Sequence, residues 1–296
     1  MTTMAELKNV SPRWLKDASD VLTRAYACST ARTRPVPDFL ILGTKRGGTT
    51  SLFNYLLMHP GVLGLFPQLR GRKSTDYFFK EGHRGDLWYR SHFHTDSFRK
   101  LAARRLGYRP ISGEASPYYL WDPRVARQVA QLCEGVKSIA LLRDPVERAW
   151  SHYQERVHNG VEPLGFEAAL AAEDDRLEGE LDRMLADPAY YSTAHDFYAY
   201  KSRGIYLPQI QNWHESFPAG QLLVLRSEDM YADVQGTFDV VCEFLGLPGY
   251  MLPNTSTFNA ITQSKIPQAA RRELEEFFEP HNAQLASYLH RPVLWP

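Results

Sequence analysis

Asp38-Phe-Leu-Ile-Leu-Gly-Thr-Lys-Arg-Gly-Gly-Thr-Thr-Ser-Leu-Phe-Asn-Tyr-Leu-Leu57 is the stretch that decides the fold. Its apolar run, Phe39 to Leu42, enters a Gly-rich turn, and the turn opens into a segment with helical periodicity. A buried strand feeding such a loop aims several backbone N–H groups at one point beside a helix N-terminus, a geometry that binds phosphate or sulfate. The stretch almost fits the phosphate-loop signature Gly-x-x-x-x-Gly-Lys-Ser/Thr. Gly43 and Gly48 have the required separation, and Thr50 stands in the Ser/Thr place. The residue after Gly48, however, is Thr49 rather than Lys, and the cations Lys45 and Arg46 lie inside the loop. The expected anion cradle is therefore Lys45, Arg46, Gly47, Gly48, Thr49, Thr50 and Ser51.

Outward from this stretch, helices and short apolar strands alternate. Thr50 to His59 reads as helix, stopped by His59-Pro60-Gly61. Residues 61–110 read as an irregular, aromatic and basic insertion, and Pro110 to Ala115 as a short strand. Asp122 to Leu132 is expected to be a helix with Asp122 as cap and Pro123 at its first position. Ser138 to Leu142 is a second buried strand, and Asp144-Pro145 opens a capped helix through about His158. Phe166 to Leu185 reads as a charged helix, Gly204 to Phe217 as another, Gln221 to Arg226 as a third strand and Tyr231 to Leu245 as the helix after it. A Pro/Asn/Ser/Thr-rich loop then leads to a last helix from about Gln268 to Leu289. This alternation argues a parallel sheet covered on both faces. Residues 1–37 form an N-terminal helical extension, with Trp14, Leu15, Ala18, Val21 and Leu22 at helical spacing, and 38–296 form one domain.

Bulk properties narrow the function. Across 296 residues, Lys+Arg and Asp+Glu balance at 34 each, so an anionic ligand must be held by local clusters. No nucleic-acid module is present, and nucleic acid is not an expected partner. Three cysteines, Cys28, Cys133 and Cys242, show no metal-ligand spacing, and they read as reduced thiols. The sequence has no apolar run of membrane-spanning length and no signal-peptide core, so a cytoplasmic protein without membrane contact is expected.

Ser138-Ile-Ala-Leu-Leu-Arg-Asp-Pro-Val-Glu-Arg148 is the second motif. It delivers Arg143 to the carboxyl end of a strand, where open α/β sheets bind ligands. Asp144 is better explained as a helix cap than as a magnesium ligand. Ser151, two turns on, faces the same side and could join Arg143 around a phosphate. A structural salt bridge from Arg143 to Glu147 is the alternative.

Gly-Thr-Lys-Arg-Gly-Gly-Thr-Thr-Ser51 and Leu-Arg-Asp-Pro-Val-Glu-Arg148…Ser151-His-Tyr153 together resemble the sulfotransferase superfamily, in its heparan-sulfate and bacterial carbohydrate-type branch. Tyr77-Phe78-Phe79, Trp88-Tyr89 and Gly113-Glu-Ala-Ser-Pro-Tyr118 add weaker matches. The resemblance implies a single-domain, three-layer P-loop NTPase-like α/β fold. It also implies 3′-phosphoadenosine 5′-phosphosulfate (PAPS) as donor, with no metal. The first motif would grip the 5′-phosphosulfate, with Arg46 where the family commonly has its catalytic Lys and Lys45 as the alternative point charge. Arg143 and Ser151 would bind the 3′-phosphate, and Lys265 is what remains of a basic loop that often closes over the nucleotide.

The acceptor half departs from the family pattern. The usual base Glu, two residues before the aromatic triplet, is Thr75, and the Lys of the motif aligned with Glu114-Ala-Ser116 is Ala115. Asp76 and Glu114 are the carboxylates left to take an acceptor proton, with His92 and His94 as alternatives. Asp76 could equally cap a loop, and Glu114 could be a structural acid. The basic cluster Arg70, Arg72 and Lys73 adjoins the expected acceptor cleft. The expected activity is sulfuryl transfer from PAPS to a hydroxyl, in second place an amine, of a carbohydrate, glycolipid or other glycoconjugate. A P-loop kinase and a catalytically lapsed PAPS-binding protein are the competing readings.

Overall fold

The computed structural model describes residues 13–67, 71–256, 258, 265–292, 294 and 295. Among these, five strands form one parallel sheet: β1 (Phe39–Gly43), β2 (Val62–Leu63), β3 (Ile111–Ala115), β4 (Lys137–Leu142) and β5 (Leu222–Arg226), in the order β2-β3-β1-β4-β5. β1 is central, with Phe39 opposite Gly113 on β3 and Leu40 opposite Ser138 on β4. All five of its residues are buried, as the unbroken apolar run requires of a strand covered on both faces.

The alternation of side chains along β1 and β4 divides the core. Leu40, Leu42, Ala140 and Leu142 pack on one face against Val125 and Val129 of α4 (Val125–Leu132) and Ile210 and Trp213 of α6 (Tyr206–Ser216). Phe39, Ile41, Ile139 and Leu141 pack on the other against Leu52 and Leu56 of α2 (Thr49–Met58) and Phe238 and Val241 of α8 (Val234–Leu245). A third cluster joins α5 (Pro145–His158) to the C-terminal helix α9 (Gln268–Tyr288) through Val146, Trp150, Leu274 and Phe278. The result is the three-layer α/β arrangement expected.

Helix α5 has the expected start, with Asp144 accepting from the Val146 and Glu147 N–H groups and Pro145 at the first position. Other boundaries differ. The regular turns of α4 begin at Val125 rather than Asp122, although the buried Asp122 carboxylate accepts from Arg124 N–H at 3.0 Å as a cap does, and it also binds the Arg124 guanidinium. The insertion is more regular than expected. It contributes edge strand β2 and α3 (Asp96–Leu106), whose first turn is capped by Thr95 accepting from Phe98 N–H. Residues 166–186 form three short helices rather than one, with Gly179 at φ 69° before the last. The expected helix after β5 is split into α7 (Ser227–Ala232) and α8, with Asp233 capping α8 at Gly236 N–H.

The N-terminal helix α1 (Arg13–Ser29) is fastened to the insertion by Arg24, which donates to the Ser91 carbonyl and hydroxyl and to the Phe66 carbonyl at 2.8–3.0 Å. All three cysteines are free. No helix among the described residues is long and apolar enough to cross a membrane.

Candidate active site

β1 ends at Gly43, and the chain turns at once into α2. Thr44 N–H donates to the Leu141 carbonyl at 2.7 Å and Gly47 N–H to the Thr44 carbonyl at 2.9 Å, closing the loop against β4. A Cβ on Gly47 would meet the Leu141 carbonyl oxygen at 2.6 Å, so the loop lies on the strand as closely as glycine permits. The Ser227 hydroxyl of α7 donates to the Gly47 carbonyl from the opposite side. Gly48 precedes α2 at φ 89°, and Arg46 takes φ 69°, a conformation that costs a non-glycine residue about 1–3 kcal/mol. Held this way, the loop sits before a helix start whose first N–H groups have no partner within the helix.

The loop's two cations diverge. Arg46 Nε donates to Ser151 Oγ at 2.9 Å, while Arg143 Nη1 donates to the Arg46 carbonyl at 3.1 Å. Arg46, Arg143 and Ser151, assigned from sequence to two ends of one ligand, thus share a cluster where β4 meets α5. Arg143 also lies 4.0 Å from Glu147, so the structural pair foreseen for it exists beside its contact with the loop. Lys45 instead turns to Asp196 at 3.4 Å and Glu155 at 3.9 Å. Burial pushes its ammonium down to about 8, with Asp196 holding it partly up.

Two residues expected at the donor site have other surroundings. The Ser51 hydroxyl accepts from Phe258 N–H at 3.1 Å, so it ties α2 to the C-terminal loop instead of lining the cradle. Lys265 is exposed just before α9 and takes no part in the hydrogen bonds of this cluster. Arg203, just before α6, is fully buried and bound to Asp196, the partner of Lys45, and to the Pro117 carbonyl. Arg70 lies outside the described residues.

Lys73 lines the cleft beside which the sequence placed it, and it also makes a contact that motif reading did not foresee. Its Nζ donates to Thr50 Oγ1 at 2.6 Å and lies 3.4 Å from Thr49 Oγ1, on the first turn of α2. Burial lowers its ammonium to about 8, with Asp76 and Glu155 opposing that fall and Arg46 adding to it. No spacing in the chain points to this contact. It arises because the backbone around Lys73 pairs with the end of β3, Ala115 N–H donating to the Lys73 carbonyl at 2.7 Å. Tyr231, whose hydroxyl would lie 2.7 Å from a Cβ on Gly48, is a second neighbour without a sequence signal.

The two candidate carboxylates separate clearly. Glu114 is fully buried. One oxygen accepts from Thr75 N–H at 2.6 Å and the other from the Tyr89 and Tyr119 hydroxyls at 2.9 Å each. Burial raises its carboxyl to about 7, the hydrogen bonds opposing. Fully buried with both oxygens engaged, Glu114 has the surroundings of the structural acid that the sequence offered as its alternative role. Asp76 follows Thr75 at φ 57° and accepts from the Ser74 hydroxyl. Burial raises its carboxyl as well. It opens on a cleft of about 640 Å³ lined also by Val21, Arg24, Arg72, Lys73 and Trp88. His92, in the same cleft, is lowered to about 3 by burial, and His94 to about 4. Both are neutral at pH 7, and the His92 Nδ1 faces the Trp88 carbonyl at 2.9 Å. Among the described residues, no three His, Cys, Asp or Glu side chains are grouped to hold a metal ion.

This site can be set beside known proteins. Residues 36–279 match the family described as Sulfotransferase domain. Similar proteins include the membrane-associated sulfotransferase kil1 of Dictyostelium discoideum, 23% identical over 88% of this chain and 66% of that protein. Human bifunctional heparan sulfate N-deacetylase/N-sulfotransferase 3 is 26% identical over 95% of this chain and 33% of its own length. Mouse heparan sulfate glucosamine 3-O-sulfotransferase 3B1 is 27% identical over 90% and 67% respectively. The chain thus spans about a third of the bifunctional relative and about two thirds of the other two. Among solved structures, a sulfotransferase from Alicyclobacillus acidocaldarius is similar with a TM-score of 0.63 and 27% identity, over 86% of this chain and 96% of that one.

Proposed function

The chain belongs to the sulfotransferase family, and on that premise we propose that it moves a sulfuryl group from PAPS to a hydroxyl of a carbohydrate or glycoconjugate. The observation that carries the donor assignment is the convergence of Arg46, Arg143 and Ser151 beside the Gly-rich loop. Two guanidinium groups, a hydroxyl and the starts of two helices suit a ligand with separate anionic groups. A Gly47 pressed onto β4 lets backbone N–H groups approach such a ligand closely. On this reading Arg143 and Ser151 hold the 3′-phosphate, and the loop amides with Thr49 and Thr50 hold the phosphosulfate end.

The acceptor enters the cleft on which Asp76 opens. Its carboxylate, made more basic by burial, takes the proton of the acceptor hydroxyl as sulfur bonds to that oxygen. Arg72 is exposed in this cleft to meet anionic substituents, beside Trp88, whose ring carries the Arg84 guanidinium at 5.0 Å. The carbohydrate class is supported by the heparan sulfate enzymes among the relatives.

Thermal unfolding with 3′,5′-adenosine bisphosphate, compared with ATP, tests the donor assignment. At one hundred times its Kd, a ligand that binds the native state stabilises it by roughly 2.7 kcal/mol. The bisphosphate is expected to raise the Tm by several degrees, ATP to do less, and Arg143→Ala to lose most of the effect. A bisphosphate that leaves the Tm unmoved, or moves it equally in Arg143→Ala, refutes the assignment.

A further inference from the structure

We propose that Lys73 is a catalytic cation of this enzyme, its ammonium set over the first turn of α2 to hold the oxygen that departs from sulfur. This inference rests on the donor reading above.

Three observations carry it. First, the polar contacts of the two loop cations run elsewhere than the helix start: Lys45 is paired with Asp196 and Glu155, and Arg46 with Ser151. Second, Lys73 does cover it, with Nζ 2.6 Å from Thr50 Oγ1 and 3.4 Å from Thr49 Oγ1. The phosphosulfate end of the donor is assigned to those same hydroxyls and the adjoining N–H groups. Third, Lys73 and Asp76 line one cleft, so the charge that stabilises the leaving group and the carboxylate that accepts the proton stand on the same short segment.

The segment is fixed rather than loose. The Lys73 carbonyl is bound by Ala115 N–H, and Thr75 N–H by the buried Glu114 carboxylate. A cation set in place before reaction needs little reorganisation as charge develops, which makes it effective in a water-poor site. Burial leaves this ammonium short of solvation, and negative charge building on an adjacent oxygen would supply what water does not.

The step balances as follows. The bond between sulfur and the 5′-phosphate oxygen breaks, and its electron pair stays on that oxygen beside the Lys73 ammonium. Sulfur bonds to the acceptor oxygen, whose proton passes to Asp76. The products are the sulfate ester and 3′,5′-adenosine bisphosphate.

Calorimetric titration with two probes tests this without knowledge of the acceptor. 3′,5′-Adenosine bisphosphate carries the 5′-phosphate that Lys73 would touch, and adenosine 3′-monophosphate lacks it. Lys73→Met is expected to weaken the bisphosphate about tenfold or more and to leave the monophosphate within about threefold, as loss of one charge-assisted contact implies. Lys73→Arg, which keeps the charge, should recover most of the loss. Acceptor-independent hydrolysis of PAPS should fall about 100-fold in Lys73→Met. Arg143→Ala should weaken both probes. A Lys73→Met protein that binds both as wild type, or loses both equally, overturns the proposal. A wild-type protein that binds neither removes the donor reading itself.

Discussion

Replacing Glu114 by Gln separates a buried structural acid from a catalytic base, because the two roles leave opposite signatures. The folded protein holds the Glu114 carboxyl at about 7, against an ordinary value of 4.5. At roughly 1.4 kcal/mol per tenfold in proton affinity, that gap amounts to about 3 kcal/mol. The sign follows from which state binds the proton. Between these two pH values the native protein keeps it while the unfolded chain has released it, so stability falls as pH rises. The contribution is fully present below 4.5 and is lost once pH has passed through about 7. Gln cannot ionise and should erase this dependence. It also sets an amide against Thr75 N–H or a tyrosine hydroxyl, at a cost of about 1–3 kcal/mol at every pH. Urea unfolding of both proteins near pH 5 and near pH 8 measures the effect. The difference between wild type and variant should shift by about 2.5 kcal/mol in the variant's favour from the lower pH to the higher, and bisphosphate binding should persist. A difference that stays constant across this range, with turnover abolished at every pH, would refute the structural assignment and return Glu114 to the chemistry.

Two further outcomes follow from the site. Gly47→Ala puts a methyl 2.6 Å from the Leu141 carbonyl and 2.8 Å from Thr44 Cγ2, so it should cost about 1–3 kcal/mol; bisphosphate binding should fall more steeply than stability, as urea unfolding and calorimetry on one preparation will show. Asp76→Asn removes the proposed proton acceptor but not the Lys73 contact with Thr50; transfer to a desulfated heparan-type oligosaccharide should drop about 10²–10⁴-fold with bisphosphate affinity unchanged, and turnover within threefold of wild type would count against Asp76.

How much of this was legible in the sequence depends on where each feature's partners lie in the chain. The Phe39–Gly43 strand and the α2 start could be read because an apolar run, a glycine pair and helical periodicity are contiguous. The same holds for α5, where Asp144, Pro145 and the following residues make the cap locally. Asp122 carried the same local signal and its carboxylate does accept the Arg124 N–H, but the helix takes regular form only from Val125. At the site, Arg143 and Ser151 were found from one motif. The reach of Lys73 to Thr50 spans residues that share no pattern and meet only through pairing at the end of β3. Glu114 looked available because nothing in its own motif shows that Thr75 and Tyr89 close over it, and its neighbour Tyr119 reads as part of an aromatic run.

The Arg24 clasp on Ser91 and Phe66 has a consequence for how such a protein can diversify. The family match begins at residue 36, whereas α1 ends at Ser29, yet Val21 and Arg24 stand in the wall of the cleft that holds Asp76. If that cleft takes the acceptor, the nucleotide end and one flank of the acceptor end are encoded in separable pieces of the gene. Exchange of a 17-residue helix would then reshape what the cleft admits while leaving the β1–α2 and β4–α5 junctions untouched. Acceptor preference could drift in such a lineage at the pace of its most peripheral helix, under a donor grip that stays constant.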